Sequence, residues 1–139
     1  MTIMYPACFY KEKNRYSVVF PDLNYLATDG KTLDQVMNHA IDSLASYIYL
    51  EKKEANKIPK ASDISKIDAN KVAKDLGVTN YKECFVNYVS VDVEAYAKEH
   101  FEKAVKKTLT IPAWLNQLAI ENNINFSKVL QDALIKILM

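Results

Sequence analysis

The sequence predicts an α+β chain in two parts: an N-terminal β-β-β-α-β domain over residues 1–92 and a C-terminal strand-helix-helix over residues 104–139, joined by a linking helix at 93–103. Three observations predict this. The first 30 residues are β-branched and aromatic between polar turns, which reads as strands. Residues 33–48 repeat apolar positions at helical spacing. From Val105 the apolar period switches to two, then back to helical after Pro112.

In order, Ile3 to Tyr10 is apolar on both faces and reads as strand one, with Pro6 marking an edge position or a bulge. Lys11-Glu12-Lys13-Asn14 is a polar turn, and Tyr16 to Phe20 is the second strand of a hairpin, stopped by Pro21-Asp22. Tyr25 to Thr28 reads as a short third strand closed by the turn pair Asp29-Gly30. Thr32 is the N-cap of the long helix, with Gln35 three residues on as a capping box requires. Ile58 to Ser62 is an extended loop, Asp68 to Leu76 a short helix with Gly77 past its end, and Cys84 to Val91 a fourth strand. One helix covers only one face of such a sheet, so the other face is expected to meet another chain; the alternative is that residues 55–80 cover it.

In the last part, Val105, Leu109 and Ile111 share one face of a strand, and Lys106, Thr108 and Thr110 the other. Pro112 stops the strand and suits a first helical turn. Helix A runs from about Ala113 to Asn122, with Leu115, Leu118 and Ala119 inward. Asn125 caps helix B, from about Phe126 to Leu138, whose apolar stripe includes Val129, Leu130, Ala133, Leu134 and Ile137. A strand and two helices this small bury too little to stand alone, and a lone strand has nothing to pair with. Both problems vanish if two copies pair their strands antiparallel and interlock four helices. The resulting ribbon shows Lys106, Thr108 and Thr110 outward, a shape that fits the DNA major groove. The start of helix B, Asn125, Ser127 and Lys128, offers backbone N–H groups to a phosphate. Trp114 reads as a core or interface residue.

Composition narrows the rest. The chain is 139 residues with net charge +1, 50% hydrophobic and 25% charged, the balance of a folded chain. Residues 1–100 hold 13 basic against 14 acidic groups and residues 101–139 hold 5 against 3, a slight basic tilt at the C-terminal end. No apolar run approaches the ~20 residues of a bilayer span, and no signal peptide is visible, so no membrane role and a cytoplasmic location are expected. Cys8 and Cys84 form no CxxC and read as reduced, packed thiols.

Catalysis is not expected. Asp22 and Asp29 lie in turns, Asp34 and Asp42 on the solvated face of the helix, and strand one has no acid, so no carboxylate cluster for a divalent metal forms. His39 and His100 have no partner pattern, and Ser43, Ser46 and Ser127 no visible base. With glycine only at 30 and 77, neither a dinucleotide fingerprint nor a P-loop exists. No catalytic residue, metal or cofactor is expected.

Lys107-Thr108-Leu109-Thr110-Ile111-Pro112-Ala113-Trp114-Leu115 together with Asn125 to Leu134 resembles the ribbon-helix-helix DNA-binding domain. Phe126 departs from the Arg or polar residue common there. The run Phe20-Pro21-Asp22 through Ala27-Thr28-Asp29-Gly30 and on to Val36 resembles the start of the HicB antitoxin domain, with Asn24-Tyr25-Leu26 replacing its Pro-Gly-Cys-like turn; Ile58-Pro59, Ala61-Ser62 and the strand before Val91-Asp92 also fit. The resemblance implies a partial ribonuclease-H-like sheet and a chain that masks a small HicA-like messenger-RNA-cleaving toxin while repressing its own operon as a homodimer or higher homo-oligomer. Pro21, Asp22, Leu23, Asn24 and Tyr25 are the expected toxin-facing residues, from loop position and exposed aromatics. The alternative is a stand-alone ribbon-helix-helix regulator whose front domain senses a ligand or only oligomerises. A nuclease is the third class.

Overall fold

The computed structural model describes residues 1–139 and divides them into two units, Met1–Lys103 and Ala104–Met139. The first unit holds a four-stranded antiparallel sheet of β1 (Thr2–Lys11), β2 (Tyr16–Phe20), β3 (Leu26–Gly30) and β4 (Glu83–Asp92), in the order β3-β2-β1-β4. Helix α1 (Leu33–Lys53) follows β3, α2 (Ala69–Leu76) precedes β4, and α3 (Val93–His100) follows it. The second unit holds α4 (Ala113–Glu121) and α5 (Phe126–Leu138).

Two prolines set the shape of the sheet. β1 pairs with β4 along its whole length, from Thr2 opposite Asp92 to Lys11 opposite Glu83. It pairs with β2 only from Cys8 opposite Val19 to Lys11 opposite Tyr16. Carried two residues further, that register sets Pro6 against Pro21, and neither can donate to a ladder. The hairpin bond from the Glu12 N–H to the Arg15 carbonyl, 2.9 Å, fixes the parity: even-numbered residues of β1 face β2, odd-numbered ones face β4. The missing N–H of Pro6 therefore falls where the β2 ladder has already ended, which is how a central strand tolerates it. No bulge is needed, and the edge reading holds for the half of β1 bordered by β4 alone.

The long helix lies on one face. Val36, Ala40, Leu44, Ala45 and Ile48 are buried against Tyr5, Ala7, Phe9, Val18, Phe20, Val89 and Val91. The Thr32 hydroxyl accepts the Gln35 N–H at 3.1 Å, and Gln35 Oε1 accepts the Lys31 N–H at 2.6 Å, so the capping pair closes one residue earlier than a strict box. Asp29 and Gly30 do not form the turn; they pair with Ser17 and Tyr16 as the end of β3. Gly30 is demanded by approach, because a Cβ there would stand 2.6 Å from Val36 N and 2.9 Å from Val36 Cα, both backbone atoms of α1.

The opposite face is partly covered by the chain itself, which corrects the expectation that it waits whole for a partner. Ala69 and Ala73 of α2 are buried with Cys8, Tyr10 and Val19, and the Tyr10 hydroxyl donates to the Ala69 carbonyl at 2.7 Å. Asp68 caps α2 by accepting from the Asn70 and Lys71 N–H groups, and Gly77 ends it at φ 73° in the left-handed region. Nor is the stretch after β4 a free linker: Val93 and Ala97 of α3 are buried.

The second unit differs from expectation at its start. Residues 104–112 carry neither strand nor helix, and Leu109 and Ile111 are 63% and 41% exposed. A strand exists only as one side of a ladder, and a single chain offers residues 105–111 no second side. The two helices stand where the spacing places them. Asn125 caps α5 by accepting the Lys128 N–H at 3.1 Å. Asn123, at φ 55°, closes α4, with the Ile124 N–H donating back to the Ala119 carbonyl at 3.0 Å.

Gly30→Ala is expected to destabilise the first unit by more than about 2 kcal/mol, because backbone atoms of α1 must move. Chemical denaturation read by circular dichroism checks this; a loss below about 0.5 kcal/mol contradicts the close packing.

Candidate functional site

Two places carry the residues singled out by sequence. The first is the turn after β2. Pro21–Leu23 forms a single 3-10 turn, followed by Asn24 and Tyr25 at φ 55° and 58°. Two successive left-handed residues that are not glycine cost about 1–2 kcal/mol each, so the surrounding structure has to hold them. It does so from two sides. Leu23 is fully buried, and both oxygens of the Asp22 carboxylate are taken, one by the Ser62 N–H and the other by the Ser62 hydroxyl, each at 2.7 Å. Asn24 Nδ2 donates to the Tyr47 hydroxyl of α1 at 3.0 Å.

The five residues of this turn therefore divide. Leu23 is sealed inside and Asp22 is committed to the loop that crosses from one sheet face to the other. Asn24 and Tyr25 form the outer surface, with Tyr25 47% exposed. Sequence reasoning missed Ser62 as the partner of Asp22; forty residues separate them, and only the Ile58-Pro59 loop returning along the sheet brings them together. The Tyr5 hydroxyl ties that same loop down by donating to the Pro59 carbonyl.

The second place is the C-terminal unit. Lys106, Thr108 and Thr110 are exposed in the segment before α4. Asn125, Ser127 and Lys128 gather at the start of α5, where the Asn125 side chain takes the Lys128 N–H and leaves those of Phe126 and Ser127 outside the cap. Lys128 Nζ is 2.9 Å from Asp132, an exposed pair one turn on that solvent holds weakly. No residue of this unit is buried. Only Ala119 and Leu130 are half-buried, while Leu109, Trp114, Leu118, Val129, Leu134 and Ile137 all face outward.

The remaining titratable groups have structural work. His39 Nδ1 lies 2.6 Å from the Asp29 carbonyl, and His100 stacks on Tyr96 with ring centres 3.9 Å apart. Burial pushes the Cys8 thiol up to about 11, and Tyr10 is raised by the same cause. Both cysteines are free thiols, Cys8 buried and Cys84 half-buried. No three His, Cys, Asp or Glu side chains stand together as a metal set, and no helix is long and apolar enough to cross a membrane.

Residues 5–133 match the family described as HicB-like antitoxin of bacterial toxin-antitoxin system. The chain belongs to that family. It is thereby a regulatory protein rather than a catalytic one. A chain of a toxin-antitoxin complex from Streptococcus pneumoniae is similar over 98% of this chain and 99% of its own, with 33% identity and a TM-score of 0.69. The crystal structure of the Burkholderia pseudomallei antitoxin HicB shares the fold at 18% identity and a TM-score of 0.53, covering 98% of this chain and 96% of that one. A chain of a HicA3 and HicB3 toxin-antitoxin complex covers 65% of this chain and 99% of its own, with 20% identity and a TM-score of 0.50. No curated protein matches the chain.

Asp22→Ala is expected to cost about 2 kcal/mol of stability, because it removes two charge-assisted hydrogen bonds and frees the Ser62 loop. Asp22→Asn, which keeps one acceptor oxygen, is expected to cost less. Equal and negligible losses in urea unfolding contradict the anchoring role.

Proposed function

We propose that this HicB-like chain masks a HicA-like, messenger-RNA-cleaving toxin with its first unit and represses its own operon with its second. The observation that carries the reading is the C-terminal unit: two helices with exposed apolar residues, α5 capped by Asn125 where the sequence marks it, with no interior of their own. A unit of this size without a core gains one by association. In the proposed ribbon-helix-helix dimer, residues 105–111 of two copies pair antiparallel. Leu109 and Ile111 turn into a shared interior with the exposed faces of α4 and α5.

The other parity of that ribbon is Lys106, Thr108 and Thr110, which enter the major groove of operator DNA. The free N–H groups at the start of α5, beside Asn125, Ser127 and Lys128, hold a backbone phosphate on each side. Phosphate contacts supply affinity and register, and the ribbon side chains supply sequence preference at ~1–3 kcal/mol for each good base contact. With few basic residues per copy, one dimer binds modestly, and linked dimers or the bound toxin add the rest.

Masking of the toxin is steric. Two similar structures are toxin-antitoxin complexes, which supports a toxin partner for this chain. Within the turn after β2, Asn24 and Tyr25, beside Pro21, form the surface offered to the toxin. Asp22 and Leu23 act behind it by holding the left-handed pair in place. Tyr25 supplies a rigid aromatic contact with little entropy to lose.

The double variant Lys106→Ala with Thr108→Ala is expected to weaken binding to DNA from the chain's own promoter by more than about 100-fold, since both copies in the dimer lose their contacts at ~1–3 kcal/mol each. Toxin neutralisation should be unchanged. An electrophoretic shift beside a growth-rescue assay reads both. Loss of both activities together, or of neither, contradicts the division of labour.

A further inference from the structure

The sheet face opposite α1 is covered along only part of its length. Cys8, Tyr10, Cys84 and Val86 pack with α2, and the same parity of β1 and β4 continues to Met4 and Tyr88, which are 50% and 37% exposed. A cavity of about 650 Å³ lies there, floored by Met4 and Tyr88 and rimmed by Lys60, Ser62, Asp63 and Lys66. That volume is in the range of small-ligand sites.

The polar groups of the rim are not equally free. The Ser62 hydroxyl is spent on Asp22, and Asp63 accepts the Ser65 N–H and hydroxyl at 2.9 and 2.6 Å. Lys60 and Lys66 are exposed and join no ion pair. The Tyr88 hydroxyl accepts the Ile64 N–H at 3.1 Å, so its ring lines the cavity in a fixed position.

Positive charge continues beyond the cavity. Residues 55–82 hold six lysines, at 57, 60, 66, 71, 74 and 82, against three acids, while the rest of the chain holds 12 basic and 14 acidic groups. All six lysines are exposed and outside any ion pair. Lys71 and Lys74 stand on the side of α2 away from its buried Ala69 and Ala73. Two of the three acids, Asp63 and Asp68, are turned onto backbone N–H groups that begin short helices.

We propose that this cavity holds a single strand of nucleic acid, with one base stacked on Tyr88 and the neighbouring phosphates on Lys60 and Lys66. The occupant is read from two features that occur together. An aromatic ring in a cavity floor takes the flat face of any base, and a track of lysines around it matches a strand that carries one charge per nucleotide. An acidic peptide would satisfy the lysines and leave the ring without a planar partner. Duplex DNA keeps its bases inside the stack, out of reach of Tyr88. The proposal rests on neither toxin masking nor operator binding.

The test uses the full chain carrying Lys106→Ala with Thr108→Ala, so that the proposed ribbon contributes little. Fluorescence anisotropy with labelled oligo(U) and oligo(dT) of about ten nucleotides is expected to show binding that weakens with salt. Adding Lys60→Ala with Lys66→Ala is expected to weaken it at least tenfold and to reduce the slope of log affinity against log salt by about 1.4, roughly 0.7 for each phosphate contact. Lys13→Ala with Lys31→Ala, an equal loss of exposed charge elsewhere, should change affinity by less than twofold. Tyr88→Leu is expected to cost about tenfold and Tyr88→Phe, which keeps the ring, much less. Tighter binding of oligo(U) or of oligo(dT) supports the proposal in either case and names the sugar. Equal losses from the two lysine pairs, tighter binding of an unrelated DNA duplex than of either single strand, or equal competition by polyglutamate overturns it. Should Tyr88→Leu unfold, the lysine comparison decides alone.

Discussion

The C-terminal 36 residues have apolar surface and no inside. The proposed dimerisation and DNA binding lean on that constraint. A helix hairpin that buries nothing in one copy does not hold its own fold in water, since its backbone ordering cost goes unopposed. Asn125 caps the start of α5 and the left-handed Asn123 closes α4, so much of the local code for two helices is present. What is absent from one chain is the second side, both for the helices and for the segment Val105 to Ile111. In the proposed dimer a shared interior would supply both with one act, and the same act would turn Lys106, Thr108 and Thr110 into a groove-sized surface.

The first unit is governed by a different economy of the backbone. Pro6 and Pro21 end the β1–β2 ladder at the same rung, so half of β1 is bordered by β4 alone. The space released is used by the 58–62 loop, which Tyr5 and Asp22 tie down from the two ends of that half-strand. The loop leads the chain from the α1 face to the α2 face, and it also braces the strained turn at Asn24 and Tyr25. Stability and the exposed aromatic surface of the turn are thus coupled through one carboxylate.

Much of this was legible in the residues. Thr32 with Gln35, Asp68 with Gly77, and Asn125 mark helix ends by side-chain chemistry that acts within four residues, so they read directly. The strands read from β-branched and aromatic runs. Gly30 was misread as turn chemistry because glycine serves both φ freedom and close approach, and only the position of Val36 tells them apart. The Asp22–Ser62 bond and the α2 cover over Cys8 and Tyr10 were not legible, since they join segments forty to sixty residues apart. The strand at 105–111 was read from alternation, yet alternation states which faces a strand would have, not whether one chain can supply its partner. The resemblance to the HicB antitoxin domain carries the reading further than spacing does, and the match over residues 5–133 agrees with that family.

Hydrogen exchange across residues 104–139, followed while the protein is diluted, tests the central claim most directly. Slow exchange in α4 and α5 is expected while the protein sediments as a dimer or larger, with that protection lost together with the fall to a single 15.9 kDa chain. Protection of both helices that persists in the monomer would contradict the claim.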